Sequence, residues 1–407
     1  MKKIKLDLEL IYIIMIICMS DGFFYIFNDK VTLILKNLSY LVSLFMFIIF
    51  LPLFIKKSKK MNFKFVLILF IILILLEPLN TNFLYGQPML DGYTLNLKYL
   101  LYFNYLFITY YINKNLNNLN KLENYMIRIS LFASLLYIVQ FLLLPKIILF
   151  GLGYRINYRF GEPRFYICTL LFAMTLIFCI IKLLFDKNNS NKKFVFSITI
   201  CLNTFVLINI CKTRSIMIAI IICLMLLIFI KIFKSNPIKA VLFIIIGSLC
   251  IILLLSTESV KNMIDLTTNG DGKSIDIRMN EIKYYFDQVK NNIIFGRGEI
   301  HRGLYPDIDG FIYNFYLDDL GFFGVFIKFG LFGLLIMILM FIKEIKILLL
   351  NNKKLIILKL NVLFVIIYIL MVGILIPYLD QGESIIFICI LMSYLDYIKN
   401  TRKTLED

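Results

Sequence analysis

The sequence predicts an all-α polytopic membrane protein of about twelve transmembrane helices, from three observations. Of its 407 residues, 60% are hydrophobic and 17% charged, with a mean hydropathy of +0.86; a soluble chain holds roughly half apolar and about a quarter charged residues. Apolar runs of about 20 residues recur, long enough at ~1.5 Å per helical residue to cross a ~30 Å hydrocarbon core. Lysines gather in the short segments between these runs, the pattern that orients a chain in a membrane. Helices rather than strands follow, because backbone facing lipid must satisfy its own hydrogen bonds.

In chain order the candidate spans are 9–27, 38–55, 63–80, 94–112, 125–144, 165–185, 194–211, 214–233, 238–255, 320–342, 358–378 and 384–398. The first follows a basic "MKKIK" start, as in a signal peptide, but Asp21-Gly22 stands where a small-residue cleavage site would be, so it reads as an uncleaved span. Glu77 and Pro78 close the third and read as an interfacial carboxylate and its neighbour. Glu162-Pro163 suits the first turn of the sixth, with proline at a first helical position. Lysine clusters at 56–60, 114 and 121, 186–193, 231–239 and 343–359 fall in alternate loops, which places those loops and both termini in the cytoplasm.

Residues 1–407 therefore read as one integral membrane domain with two sizeable outer loops, an arginine-rich one at 145–164 and a large one at 256–319 between spans nine and ten. Loops of that size are usually functional or disordered. Within the larger, "SIDIRMNEIKYYFDQVKNNIIFG" has apolar residues at 275, 279, 282, 286 and 289, the stripe of an amphipathic helix on the membrane surface. Ser274 suits its N-cap, Asp276 its first turn, and Gly296 its stop.

The net charge of +17 does not call for a nucleic-acid partner, since the lysines are accounted for by orientation in the lipid bilayer. The eight cysteines lie in or beside spans, with no CxxC and one histidine, which argues against a disulfide framework or metal site, and no cofactor is expected. Arginine follows another rule. Under this topology 24 of 34 lysines are cytoplasmic, whereas arginine divides into two inside (Arg128, Arg402) and seven outside: Arg155, Arg159, Arg164, Arg214, Arg278, Arg297 and Arg302. Lysine serves orientation equally well, so the bias needs a different cause, and bidentate binding of phosphate oxygens by a rigid guanidinium supplies one. The alternative is pairing with carboxylates or lipid headgroups, and Arg164, beside a span, fits headgroup anchoring. The functional reading is an outward-facing anion site suited to a lipid-linked pyrophosphate.

Four stretches resemble the O-antigen polymerase and O-antigen ligase superfamily. In "RINYRFGEPRFYICTLL", Arg155 or Arg159, Gly161, Glu162 and Pro163 match an arginine, glycine, Glu-Pro pattern opening a span. In "CKTRSIMIAIII", Thr213, Arg214 and Ser215 match a turn between spans. "SIDIRMNEIKYYFDQVKNNIIFGRGE" is similar to an arginine-bearing loop helix ending in Gly-x-Gly, through Arg278, Gly296 and Gly298, and "DIDGFIYNFYLDDLGFFG" to the segment with a Gly-x-x-Gly opening the next span. Ligase relatives place a histidine before that span; here Asp309, Tyr313 and Asn314 stand there and the only histidine, His301, lies upstream, which points to a polymerase.

The resemblance implies a GT-C-like glycosyltransferase of the bacterial cytoplasmic membrane, acting outward on undecaprenyl-diphosphate-linked oligosaccharide, with a chain-length regulator protein as a further partner. Arg155, Arg159, Arg214 and Arg278, with Arg297 and Arg302, are then the diphosphate ligands, stabilising charge that develops on the leaving group. Asp309, His301 and Glu162 are the candidate bases for the acceptor hydroxyl; His301 reads equally as a solvated loop residue and Asp309 as part of a turn. Tyr154, Tyr158, Tyr305 and Tyr313 are candidates for sugar stacking. The rival from another class is a transporter, such as a lipid-linked oligosaccharide flippase, but the spans look nearly free of midplane charge and show no paired repeat.

Overall fold

The computed structural model describes residues 7–57, 61–149, 151, 156–159, 162–186, 192–236, 238–239, 274–350 and 355–406. The expected ninth span and the first part of the large loop, to residue 273, lie outside the described residues except at 238–239. Among the described residues six helices are long and apolar enough to cross a membrane: Asp29–Pro52, Lys64–Tyr85, Asn117–Leu143, Lys193–Ile210, Arg214–Lys234 and Leu317–Leu348. Shorter apolar helices run over Leu8–Ser20, Thr169–Phe185 and Ile356–Val372, and Gly382–Glu406 closes the chain. The loop helix is present as Ser274–Val289. Among the described residues the one sheet is a two-stranded hairpin, so the protein is an all-α membrane protein.

The interior of the bundle is the Thr169–Phe185 helix, apolar on every side and buried from Leu170 through Lys182, as expected of a helix without a polar face. Ile356–Val372 and Gly382–Glu406 pack beside it, while Asp29–Lys57 lies at the periphery with Leu33, Ile34, Phe45 and Ile55 exposed. Where lipid weakens the hydrophobic drive between helices, polar contacts hold them together. Asn203 takes this part, bonded to Ser134, Thr175 and the Phe172 carbonyl.

Three expected spans begin or end differently. The first helix stops at Ser20, and Gly22, Phe23, Phe24 and Tyr25 form a left-handed turn with φ of 56°, 49°, 58° and 56°. Such backbone costs about 1–2 kcal/mol at each non-glycine residue; burial of Phe24 and Tyr25 offsets it, and the Tyr25 hydroxyl meets Glu383 and Lys36, themselves 2.5 Å apart. The fourth span is a helix, Met89–Asn96, a 3-10 stretch, Leu97–Phe103, and a second helix, Asn104–Ile112. With three residues per turn the 3-10 stretch stacks Tyr99 above Tyr102 on one face, and their hydroxyls reach Asp380 and the Leu379 carbonyl. At the sixth span the helix starts only at Thr169, and Glu162-Pro163 lies in the second strand of the hairpin, Arg159 pairing with Glu162 and Tyr158 with Pro163.

The fourth difference fixes the large loop. The Gly321–Leu348 helix is broken at Gly330, which adopts φ 62°, ψ −159°. The freed carbonyls of Ile327 and Lys328 accept the N–H groups of Arg297 and Gly298, both at 2.9 Å; the N–H groups of Leu331 and Phe332 donate to Ile293 and Ile294 at 2.8 and 3.1 Å. Loop segment 293–298 thus completes the helix ladder. Gly296, expected to stop the loop helix, instead lies against the break; that helix ends at Val289. A Cβ on Gly330 would fall 2.4 Å from the Ile294 carbonyl oxygen. Gly330→Ala is therefore expected to destabilise the protein by at least about 2–3 kcal/mol through strained backbone and overlap, read as a lower thermal midpoint and poorer recovery from detergent extraction.

Candidate active site

Three arginines from separate parts of the chain line one cavity of about 690 Å³: Arg164, Arg214 and Arg278. Arg164 comes from the hairpin, where it pairs with Asn157. A π-helical turn at Val206–Ile210, ending in the Cys211 N–H to Val206 carbonyl bond, lies beside it. Arg164 Nε donates to the Cys211 carbonyl at 2.8 Å and Nη2 to Thr213 Oγ1 at 2.9 Å, and its guanidinium lies 4.8 Å from the Tyr166 ring centre. Thr213 precedes the Arg214–Ser235 helix but its side chain caps none of that helix's N–H groups. Thr213, Arg214 and Ser215 line the cavity, so the electropositive helix start adds to the arginines as a place for an anion.

Arg278 is carried by the loop helix, whose Ile277, Arg278 and Glu281 line the cavity, while Tyr285 and Val289, one and two turns beyond Glu281 on the same face, pack against Leu317, Leu320 and Ile327. Asn314, Tyr316 and Asp319 close it from the next segment. Asn314 has φ 57°, a left-handed conformation that asparagine tolerates better than most residues. Glu281 accepts the Tyr316 N–H at 3.0 Å. Burial pushes its carboxyl above the ordinary range and Asp319 adds to this, while the Tyr316 hydrogen bond and Arg278 oppose it.

The other expected site residues lie elsewhere. Arg155 and Tyr154 fall outside the described residues; Arg159 and Glu162 are placed by their backbone, as partners in the hairpin. Arg297 is 1% exposed and donates to Gln288 at 3.0 Å, the Ile308 carbonyl at 2.7 Å and Asp309 at 3.4 Å. Arg302 Nε meets the other Asp309 oxygen at 2.8 Å, so Asp309 is clamped between two guanidiniums and ties the 306–309 turn to the loop. His301 donates its backbone N–H to Gln87 Oε1 at 2.9 Å. None of Asp309, His301, Arg297 or Arg302 lines the arginine cavity. Tyr158 and Tyr313 are exposed, and Tyr305 bonds the Gly86 carbonyl; the tyrosines at the cavity are Tyr166 and Tyr316.

Sequence reasoning missed a buried ionic cluster beneath the loop. Lys328, in the Gly321–Leu348 helix, contacts Asp380 and lies 2.9 Å from Glu299; Lys98 is 2.9 Å from Asp380 and 3.4 Å from Glu299. Glu77, expected as an interfacial carboxylate, is buried within the protein at 3% exposure and accepts from Asn96 and the Glu299 N–H. Gly298 permits this approach, since a Cβ there would lie 2.4 Å from the Glu77 Oε1. Lys328 inside an apolar run was the available signal, because an ionisable group within a span needs a partner. Among the described residues no group of three or more His, Cys, Asp and Glu side chains is placed to hold a metal ion.

Asp380 is 3% exposed, and removing one member of a buried ion cluster leaves the others uncompensated. Asp380→Asn is expected to cost about 3–5 kcal/mol, measured as loss of thermal stability in detergent, and Asp380→Leu combined with Lys328→Met to recover part of it.

Residues 198–338, about a third of the chain, match the family model described as O-antigen ligase. No curated protein matches the chain. The matched segment contains Arg214, Arg278, Glu281, Asn314 and Asp319, with Arg164 contributed from outside it. It supports the O-antigen polymerase and ligase superfamily as the family of this chain.

Proposed function

We propose that the protein polymerises undecaprenyl-diphosphate-linked oligosaccharide repeat units at the outer face of the bacterial cytoplasmic membrane. The observation that carries this reading is the meeting of Arg164, Arg214 and Arg278 at one cavity. In the reaction, a hydroxyl of one lipid-linked glycan attacks the anomeric carbon of another and displaces undecaprenyl diphosphate. Charge grows on the departing diphosphate, and guanidiniums held in place before reaction stabilise it without reorganising. The helix start at Thr213–Ser215 acts in the same sense. The outward orientation belongs to the proposal, resting on the lysine pattern of a twelve-span chain with both termini inside.

The ligase reading has one observation of its own, the description of the matched family model. Polymerase is preferred because Tyr313 and Asn314 stand where the resemblance puts histidine in ligases, and Asn314 lines the cavity. Deleting the gene in its host separates the readings: single repeat units on the surface glycan support polymerase, full-length polymer retained on carrier lipid indicates ligase, and lipid-linked units held in the cytoplasmic leaflet indicate a flippase.

Arg164, Arg214 and Arg278 changed singly to Lys keep the charge but lose the planar fork. Each is expected to lower elongation of lipid-linked repeat units in liposomes on the order of 100-fold while membrane insertion is retained. Wild-type polymer length from all three variants would refute the arginine site.

A further inference from the structure

A pocket that only held an anion would gain nothing from carboxylates, yet two stand among the three arginines. Glu281 is 2% exposed, against an exposed Asp319. It sits three residues after Arg278 on the loop helix, both at the cavity. One oxygen, Oε1, is engaged by the Tyr316 N–H at 3.0 Å, which holds that oxygen in place. Its second oxygen has no hydrogen-bond partner among the described residues. A carboxylate oriented by one oxygen, with the other available inside a cavity, is the geometry a proton acceptor needs.

We propose that Glu281 is the general base of the glycosyl transfer, an assignment that rests on the function proposed above. The acceptor hydroxyl gives its proton to Glu281 as its oxygen forms the new bond to the anomeric carbon; the bond from that carbon to the diphosphate oxygen breaks, and undecaprenyl diphosphate leaves with the electron pair. The Glu281 proton is then released to solvent. The groups that bear on its titration are Arg278 on its own helix, Asp319 and the Tyr316 N–H on the following segment, and Arg164 and Arg214 across the cavity. Burial raises the carboxyl above its usual range, with Asp319 acting in the same sense. Only the deprotonated form accepts a proton, so the rate rises with pH through that raised value and levels off above it.

The test uses purified full-length protein in liposomes, with lipid-linked repeat units accumulated by a host lacking the gene as both donor and acceptor. Glu281→Gln keeps an acceptor for the Tyr316 N–H and removes the base. It is expected to lower kcat on the order of 100-fold or more, with KM changed by less than about threefold, and to abolish the rising limb of the pH profile. Glu281→Asp, which retains a carboxylate, is expected to keep part of the rate and that limb, and so separates loss of the base from loss of the fold. If wild-type protein forms no polymer, the functional reading itself fails and Glu281 loses its role with it. If wild type polymerises and Glu281→Gln retains more than a tenth of its kcat, or Asp319→Asn loses more than Glu281→Gln does, the assignment to Glu281 is overturned.

Discussion

The break at Gly330 is the constraint from which the loop architecture follows. Inside a bilayer an interrupted helix leaves backbone groups that water cannot reach, so another part of the protein must bond them. Here that part is segment 293–298, which gives two N–H groups and two carbonyls to the gap. The segment cannot move without exposing four backbone partners. Arg297 lies within the segment, Glu299 and His301 follow within a few residues, and the loop helix precedes it, so the placement of Arg278 and Glu281 at the cavity depends on this seam. Gly296 and Gly330 are required because their backbones meet; a Cβ on either would come within 2.6 Å of the other's amide nitrogen.

The charged groups divide into two buried ion-paired sets and the lining of the cavity. Lys98 and Lys328 are matched by Glu299 and Asp380, in a buried set that ties Glu299 of the loop to the fourth and tenth spans and to the segment before the last helix. Arg297 and Arg302 converge on Asp309, which makes all three part of the scaffold. At the cavity, three arginines and a helix start face two carboxylates, both raised above their ordinary range chiefly by burial. That excess of positive character distinguishes the cavity from the cluster beneath it.

Composition was enough to predict helices in a membrane, because the cost of burying backbone in lipid leaves few alternatives. The loop helix was legible from its apolar steps of three and four, and Arg214 and Arg278 from their departure from the lysine pattern. What local pattern could not convey was pairing across the chain. Asp309 and Arg297, twelve residues apart, look like two site residues until they are seen to face each other. Glu281 is hidden in a helix whose charged face looks solvated, since its contact with Tyr316 lies 35 residues away. Lys328 was passed over as a residue of a span, although its partners come from the segments at Glu299 and Asp380. The breaks in the fourth and tenth spans were equally invisible, because hydropathy averages over the residues where a helix changes form.

Arg164 shows why arginine rather than lysine belongs at the cavity. The sequence suggested a headgroup anchor, yet its Nε and Nη2 are bound to the Cys211 carbonyl and Thr213 hydroxyl and its plane lies by Tyr166. These contacts set the guanidinium's orientation, while Nη1 has no hydrogen-bond partner among the described residues. A lysine has one nitrogen on a flexible stem, and meeting either acceptor would draw its charge away from the cavity. The guanidinium separates the two tasks, with one edge attached to the protein and the remaining nitrogen available to a ligand. Because the attachment runs through Cys211 and Thr213, the residues that hold Arg164 also lead into the Arg214 helix, so the hairpin and helix start are positioned as one unit. An anion entering the cavity meets, in Arg164, a positive group that is already oriented, the condition under which electrostatic stabilisation is most effective.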